Sequence, residues 1–410
     1  MTYRVKTCSF LSSVLFCFSF FFHHSAAAGL RLAFPLRPRA VYALRAGAIG
    51  DALGALVEFC GHDSKGFFRH GGTYVWQGDI KTIFDALRLS GTRRLRVTDD
   101  TIMTELVVWA LYAWYGKGRN ELASGQLMET IAQRTLNNYL LRNSSQSYSW
   151  ADADRAPGVH SIRAVEYYQK TGVWNRSFYK RRAHGKEAGS GKVMSAAGFG
   201  LVIENPDIAA QYAAEHALIS HPDVVSQAAC AAIAYAVALG MGGERDLSLI
   251  VEKMKEKARA VSAANPVAEQ KEWRAGRMYW PRWRDNGSGT PYTVADRITD
   301  VQVAMSKDAT LASILAHHQG WGAPDLVGAV AALMLFTERQ KWTVKEAVLA
   351  VVNVDSPVAG VDRDTVASVV GQVLVACSVP LGFAPNEFDA VEKDAERNAL
   401  GKSLEKSYVA

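Results

Sequence analysis

The chain has 410 residues, 49% hydrophobic and 21% charged. This composition is globular, enough for one large domain or two smaller ones, and excludes a disordered, collagen-like or disulfide-stapled chain. The net charge of +6 is no mark of a nucleic-acid binder: it belongs to residues 1–50, which hold six bases and no acid, while the remaining 40 basic residues face 40 acidic ones.

The first elements are a leader and a connector. MTYRVK precedes a 15-residue apolar run (CSFLSSVLFCFSFFF) and HHSAAAG, with an A-x-A site at Ala26 and Ala28. A short basic region, an apolar core and a small-residue site read as a secretory signal over 1–28. The run is short for a spanning helix, so any membrane contact is through this leader alone if it stays uncleaved. The reading places the body in a secreted or periplasmic compartment. A misassigned start would leave it cytoplasmic. Residues 29–40 form a basic connector, and 41–380 a single helical body followed by a polar tail, 381–410. Cys60, Cys230 and Cys377, an odd number in apolar surroundings, read as core thiols.

Within the body, helical periodicity dominates. The spacing predicts helices over 41–59 and near 98–116, 121–142, 159–171, 206–219, 223–240, 246–264, 324–338, 344–353 and 364–378. Segment 223–240 is apolar nearly all round and reads as a central buried helix. Stretches 61–97, 143–157, 173–192 and 265–306 read as long loops, a length usually tied to function. The first helix carries Gly47, Gly50 and Gly54, each costing ~1 kcal/mol against Ala in a helix interior. Close approach of another backbone is the expected compensation. Asp51 and Glu58, seven apart, are expected on one face of it.

Two acid clusters stand at apolar helix mouths. The first is Thr98, Asp99, Asp100 and Thr101; the second is Asp362, Arg363, Asp364 and Thr365. Capping explains either alone, because such side chains accept from free N–H groups and acids suit a helix N-terminus. Converging, four carboxylates would repel severely. All-oxygen sites of that kind belong to hard cations.

AGAIGDALGALVEF (46–59), VTDDTIMT (97–104) and GVDRDTVASVVGQ (360–372), in this order, resemble the ADP-ribosylglycohydrolase family. RAPG (155–158), GSGKVMSAAGFGL (189–201) and LISHPD (218–223) are weaker matches. The resemblance implies an all-α single domain with two Mg²⁺ or Mn²⁺ ions in a cleft. It implies Thr98, Asp99, Asp100, Asp362, Asp364 and Thr365 as metal ligands, with Glu58 or Asp100 as the base. It implies Gly189, Ser190, Gly191, Lys192, Met194 and His221 as substrate-binding residues. The implied reaction is hydrolysis of the bond from ADP-ribose to a modified side chain, arginine first, or to a small acceptor, by a metal-activated water. The alternative is a non-catalytic ADP-ribose-binding or immunity-type protein on the same fold.

Three positions depart from the family pattern. Arg363 stands where a small residue is usual, and its charge would compete with a metal if it pointed inward. Ser195 and Gly198 stand where Arg and Pro are usual. Lys192 could replace the missing charge, although a solvated lysine is the simpler expectation. His221 reads as a helix-start or loop-anchoring residue. The loop 273–287, with three Trp, one Tyr and four Arg, could stack on adenine or staple itself.

Overall fold

The structure is a computed structural model that describes residues 38–397, apart from 70–71, 116–123, 143–147, 153–154, 156, 173–188, 265–292, 357–359 and 395. The leader, most of the connector, the Trp/Arg-rich loop 273–287 and the last residues of the tail lie outside these. The described chain is a helical body, as its periodicity requires. In chain order it runs α1 (Pro38–Ala55), a three-stranded sheet, α2 (Ile83–Ser90), α3 (Asp99–Tyr115), α4 (Ser124–Tyr139) and α5 (Val159–Thr171). Then come α6 (Ala197–Val202), α7 (Pro206–Ala217), α8 (Val224–Gly242), α9 (Leu247–Ala263) and α10 (Val294–Ser306). The last are α11 (Leu311–His317), α12 (Ala323–Gln340), α13 (Val344–Val352), α14 (Arg363–Ala376) and α15 (Pro385–Asp389).

The central helix α8 is buried along nearly its whole length and packs among α6, α7, α9, α12 and α14. Asp223 caps it, accepting from the Val225 N–H at 2.8 Å. The three body cysteines are free and buried.

α1 and α14 form the tightest seam. A Cβ on Gly50 would lie 2.3 Å from the Ala367 carbonyl oxygen, and one on Gly54 would lie 2.4 Å from the Asp364 Cα. Hydrogen is the only side chain that fits at either position. The helix propensity lost at the glycines is offset by backbone-to-backbone packing.

Three expectations are corrected. Stretch 61–97 is not all loop: β1 (Gly61–Asp63), β2 (Gly66–Arg69) and β3 (Thr73–Gln77) pair antiparallel in that order, and α2 follows. The strands are short and their alternation is weak, which hid them. The turn before β2 uses Gly66 at φ +121°, with the Asp63 carboxylate accepting from the Lys65 N–H. Second, stretch 265–306 ends in a helix, α10, nucleated by a Thr293–Asp296 capping box. Third, α1 stops at Ala55. Residues 56–60 wind on through i→i+3 bonds, Val57 N–H to Gly54 and Cys60 N–H to Val57, each 3.0 Å. Glu58 therefore sits on a tight turn, not on the helical face of Asp51.

The segment read as a polar tail packs on the body as far as it is described. The Leu95 N–H donates to the Ala390 carbonyl and the Glu392 N–H to the Leu95 carbonyl, and Asp394 pairs with Arg45 at 2.8 Å.

The seam gives a stability test. Gly50→Ala should destabilise by up to ~2 kcal/mol, the ~1–3 kcal/mol of overpacking less the ~1 kcal/mol of propensity gained, with the upper end expected because the methyl meets backbone atoms. Gly242→Ala, where nothing lies within 4 Å of the new Cβ, should be neutral or slightly stabilising. Urea unfolding of both variants checks the contrast.

Candidate active site

The start of α3 is capped from outside. Asp51, fully buried on α1, accepts from the Thr98 N–H at 3.0 Å, the Thr98 hydroxyl at 2.8 Å and the Thr101 N–H at 3.1 Å. It also accepts from the Thr101 hydroxyl. A carboxylate has about four acceptor sites, so Asp51 is saturated. It lies near enough to Asp100 and Asp364 to share an ion with them, but its lone pairs are engaged. We read it as the anchor of the helix start. Asp99 and Asp100 are thereby released from capping. The Thr98 hydroxyl is nearer Asp51, at 2.8 Å, than Asp100 Oδ2, at 3.2 Å, and its oxygen accepts from the Asp100 N–H at 3.3 Å, which leaves one lone pair for an ion.

The second helix start meets the first. The Thr365 hydroxyl lies 3.2 Å from Asp100 Oδ2, as does that of Thr98. Two groups of buried acids result, each with oxygens within 4.8 Å of one another: Asp51, Asp100 and Asp364, and Glu58, Asp362 and Asp364. Asp364 belongs to both. Asp99 flanks the first group, and its carboxylate accepts from the Gly158 N–H at 3.4 Å.

Burial and mutual repulsion push these carboxyls up. Asp99, Asp100 and Asp364 rise through burial first and neighbouring carboxylates second. Burial lifts Glu58 to about 9 and Asp362 to about 6. Asp100 Oδ1 is buried and accepts no hydrogen bond. An orphaned carboxylate oxygen among close acids and hydroxyls fits a hard divalent cation, which would satisfy the lone pair and offset the repulsion.

Arg363 is fully buried, but its guanidinium turns to backbone carbonyls of Val57, Cys60 and Val354. The competition expected of an inward-pointing cation is thus met by carbonyl dipoles. Burial lowers it to about 10, so it stays charged at neutral pH.

The central loop closes the other side. The Ser190 hydroxyl donates to Asp362 Oδ2 at 3.4 Å, and the Ser190 N–H donates to the Trp321 carbonyl at 3.2 Å. Gly189 and Gly191 lie against the His221 ring, 3.5 Å and 3.0 Å from their would-be Cβ atoms. His221 is buried and bonded to the Ser220 hydroxyl at 2.8 Å, which matches a loop anchor. Met194 lies in the hydrophobic core, with its carbonyl accepting from Thr104. Lys192 is buried, not solvated. Burial lowers it to about 8, while Asp99 pulls the other way. Ser195, in the place of the usual Arg, lies 3.0 Å from His216 Nε2.

Sequence reasoning missed several supports. The role of Asp51 as a cap for α3 is not legible from its own helix. Its signal was an acid on a glycine-rich helix face with no base nearby. Arg155 donates to the Val97 carbonyl at 2.6 Å and pairs with Glu392, whose carboxylate also accepts from the Val97 N–H at 2.9 Å. Glu392 comes from almost 300 residues away, so only folding reveals that it braces the start of α3.

Comparisons agree with this architecture. The ADP-ribosylglycohydrolase family model matches residues 35–378. No curated protein matches. A solved structure titled "ADP-ribosylglycohydrolase-related protein complex" is similar at 18% identity and a TM-score of 0.52, covering 90% of this chain and 97% of that one. At that identity the likeness speaks for the fold.

The raised acids set a pH dependence. Without a cation, folded Glu58 keeps its proton up to about 9, whereas its ordinary value is 4.5. Folded protein then binds more protons than unfolded, so stability falls as pH rises through that window. In chelator, Tm should fall from pH 5 towards pH 9, and Mn²⁺ should restore it at pH 8. A Tm that climbs with pH in chelator would contradict this account.

Proposed function

The chain belongs to the ADP-ribosylglycohydrolase family, and from that premise we propose that it cleaves the glycosidic bond between ADP-ribose and a modified side chain, arginine first, using two divalent cations, Mg²⁺ or Mn²⁺. Family membership supports glycohydrolase-type activity in general. One observation carries the finer reading: two helix starts far apart in sequence place Asp100 and Asp364 in one buried cluster, with an orphaned oxygen on Asp100.

Thr98, Asp99, Asp100, Asp362, Asp364 and Thr365 would hold the ions, with Asp364 common to both acid groups. Ions so held supply a Lewis acid for the ribose diol and lower the pKa of water. The remaining work belongs to the chain. Glu58 is the better base of the two candidates. Asp100 is tied to the Thr98 and Thr365 hydroxyls, whereas Glu58 lies on a turn at the edge of the cluster. With bound cations offsetting the neighbouring carboxylates, Glu58 would be ionised and would take the proton as water attacks the anomeric carbon of the distal ribose. The bond to the acceptor nitrogen would break with its electron pair going to nitrogen as positive charge develops on the ribose, and the proton taken up by Glu58 would return to that nitrogen. Buried Lys192, close enough to Asp99 to respond to its charge, offers a cation to a phosphate oxygen. The products are ADP-ribose and the restored side chain.

The test is release of ADP-ribose from arginine-modified protein with Mg²⁺ or Mn²⁺, with and without chelator. Asp99→Ala and Asp364→Ala should each lower kcat/KM by at least ~100-fold, as loss of an ion ligand does. Glu58→Gln should lower kcat by ~10²–10⁴-fold at saturating metal, the range for removing a general base. Binding of ADP-ribose with no release across an arginine, serine and O-acetyl panel would replace the hydrolase with a non-catalytic binder.

A further inference from the structure

Arg363 stands between two candidate ligands on the first turn of α14. A fixed cation there opposes an ion site unless something else holds its charge. Its Nη1 donates to the carbonyls of Val57 at 2.7 Å and Cys60 at 2.6 Å, and its Nη2 to that of Val354 at 3.2 Å. Val57 and Cys60 bracket Glu58 and Phe59. Val354 lies on the chain leaving α13. These two segments are also stitched together: His62 and Ser356 exchange backbone hydrogen bonds of 2.8 and 3.2 Å. The guanidinium lies 5.7 Å from the centroid of buried Phe67 on β2, which closes the other side.

The gripped turn presents two side chains. Glu58 goes inward to Asp362 and Asp364. Phe59 goes outward, is 63% exposed, and stacks on Trp321, which adjoins the central loop. Within itself the turn is held by its two i→i+3 bonds. A planar fork with five donors can reach three carbonyls at once; an ammonium on a flexible stem cannot hold the same geometry.

We propose that Arg363 is a positioning residue: by gripping the carbonyls on either side of Glu58, it fixes that carboxylate against Asp362 and Asp364 and thereby sets ion affinity and turnover. It touches neither ion nor substrate. The turnover part rests on the hydrolase reading; the ion-affinity part stands on the acid cluster alone.

The test is a double-mutant cycle between Arg363→Gln and Glu58→Gln on the full chain, read by calorimetric Mn²⁺ affinity and by ADP-ribose release. Arg363→Gln should weaken Mn²⁺ binding by about 10-fold, as loss of an outer support of a metal site does. In the Glu58→Gln background the same change should weaken it by less than about 2-fold. Equal losses in both backgrounds would mean a general structural role and overturn the proposal. Tighter Mn²⁺ binding, the result of merely removing a positive charge, would overturn it too. If Arg363→Gln does not fold, Arg363→Lys enters the same cycle, with an intermediate loss expected only where Glu58 is present. Failure of wild-type release alone would sink the hydrolase reading and leave the Mn²⁺ cycle to decide Arg363.

Discussion

The site depends on how closely α1 and α14 approach. At Gly50 and Gly54 the two backbones meet with no room for a methyl group. That contact sets the start of α14 beside the end of α1. Asp362 and Asp364 are then within reach of the turn that carries Glu58, and Asp51, on the same helix, reaches across to α3. A wider seam would separate the acids by more than shared ions can bridge. Interiors pack like crystals, so a seam this tight has little slack to give.

Asp51 shows how an acid cluster can exist without every member serving the same end. Saturated by two N–H groups and two hydroxyls, it satisfies the free donors of a helix start that is not its own. The acids at that start keep their oxygens for other work. Burying so many carboxylates is unfavourable without positive charge, and the raised carboxyls express that cost as protons retained. A cation bound there would compete with those protons, so its binding would depend on pH.

The places where this chain departs from its family pattern are local exchanges of partner. Arg363 is turned by carbonyl dipoles away from the carboxylates it sits between. Ser195 has a neutral partner in His216. Lys192 brings a buried positive charge to the same loop. In each case the chain neighbours alone suggest one role, and contacts from other elements decide another.

The sequence by itself determined the helical body, because period-3.6 apolar patterning needs no knowledge of partners. It determined that α8 is buried, since a helix apolar all round is sheltered from water on every side, and that the glycines of α1 require a close neighbour. It placed the acids at two helix mouths, because Thr and Asp before an apolar run announce a start. Only the tertiary structure decided that these mouths meet, that Asp51 caps α3, that Glu58 leaves the helix for a turn, and which way Arg363 points. Those are contacts between residues up to some 300 positions apart, and no local pattern encodes the partner at the far end. The short strands β1–β3 were hidden for a related reason. Pairing three or four residues at a time is stabilised by what the sheet packs on, not by a period long enough to read.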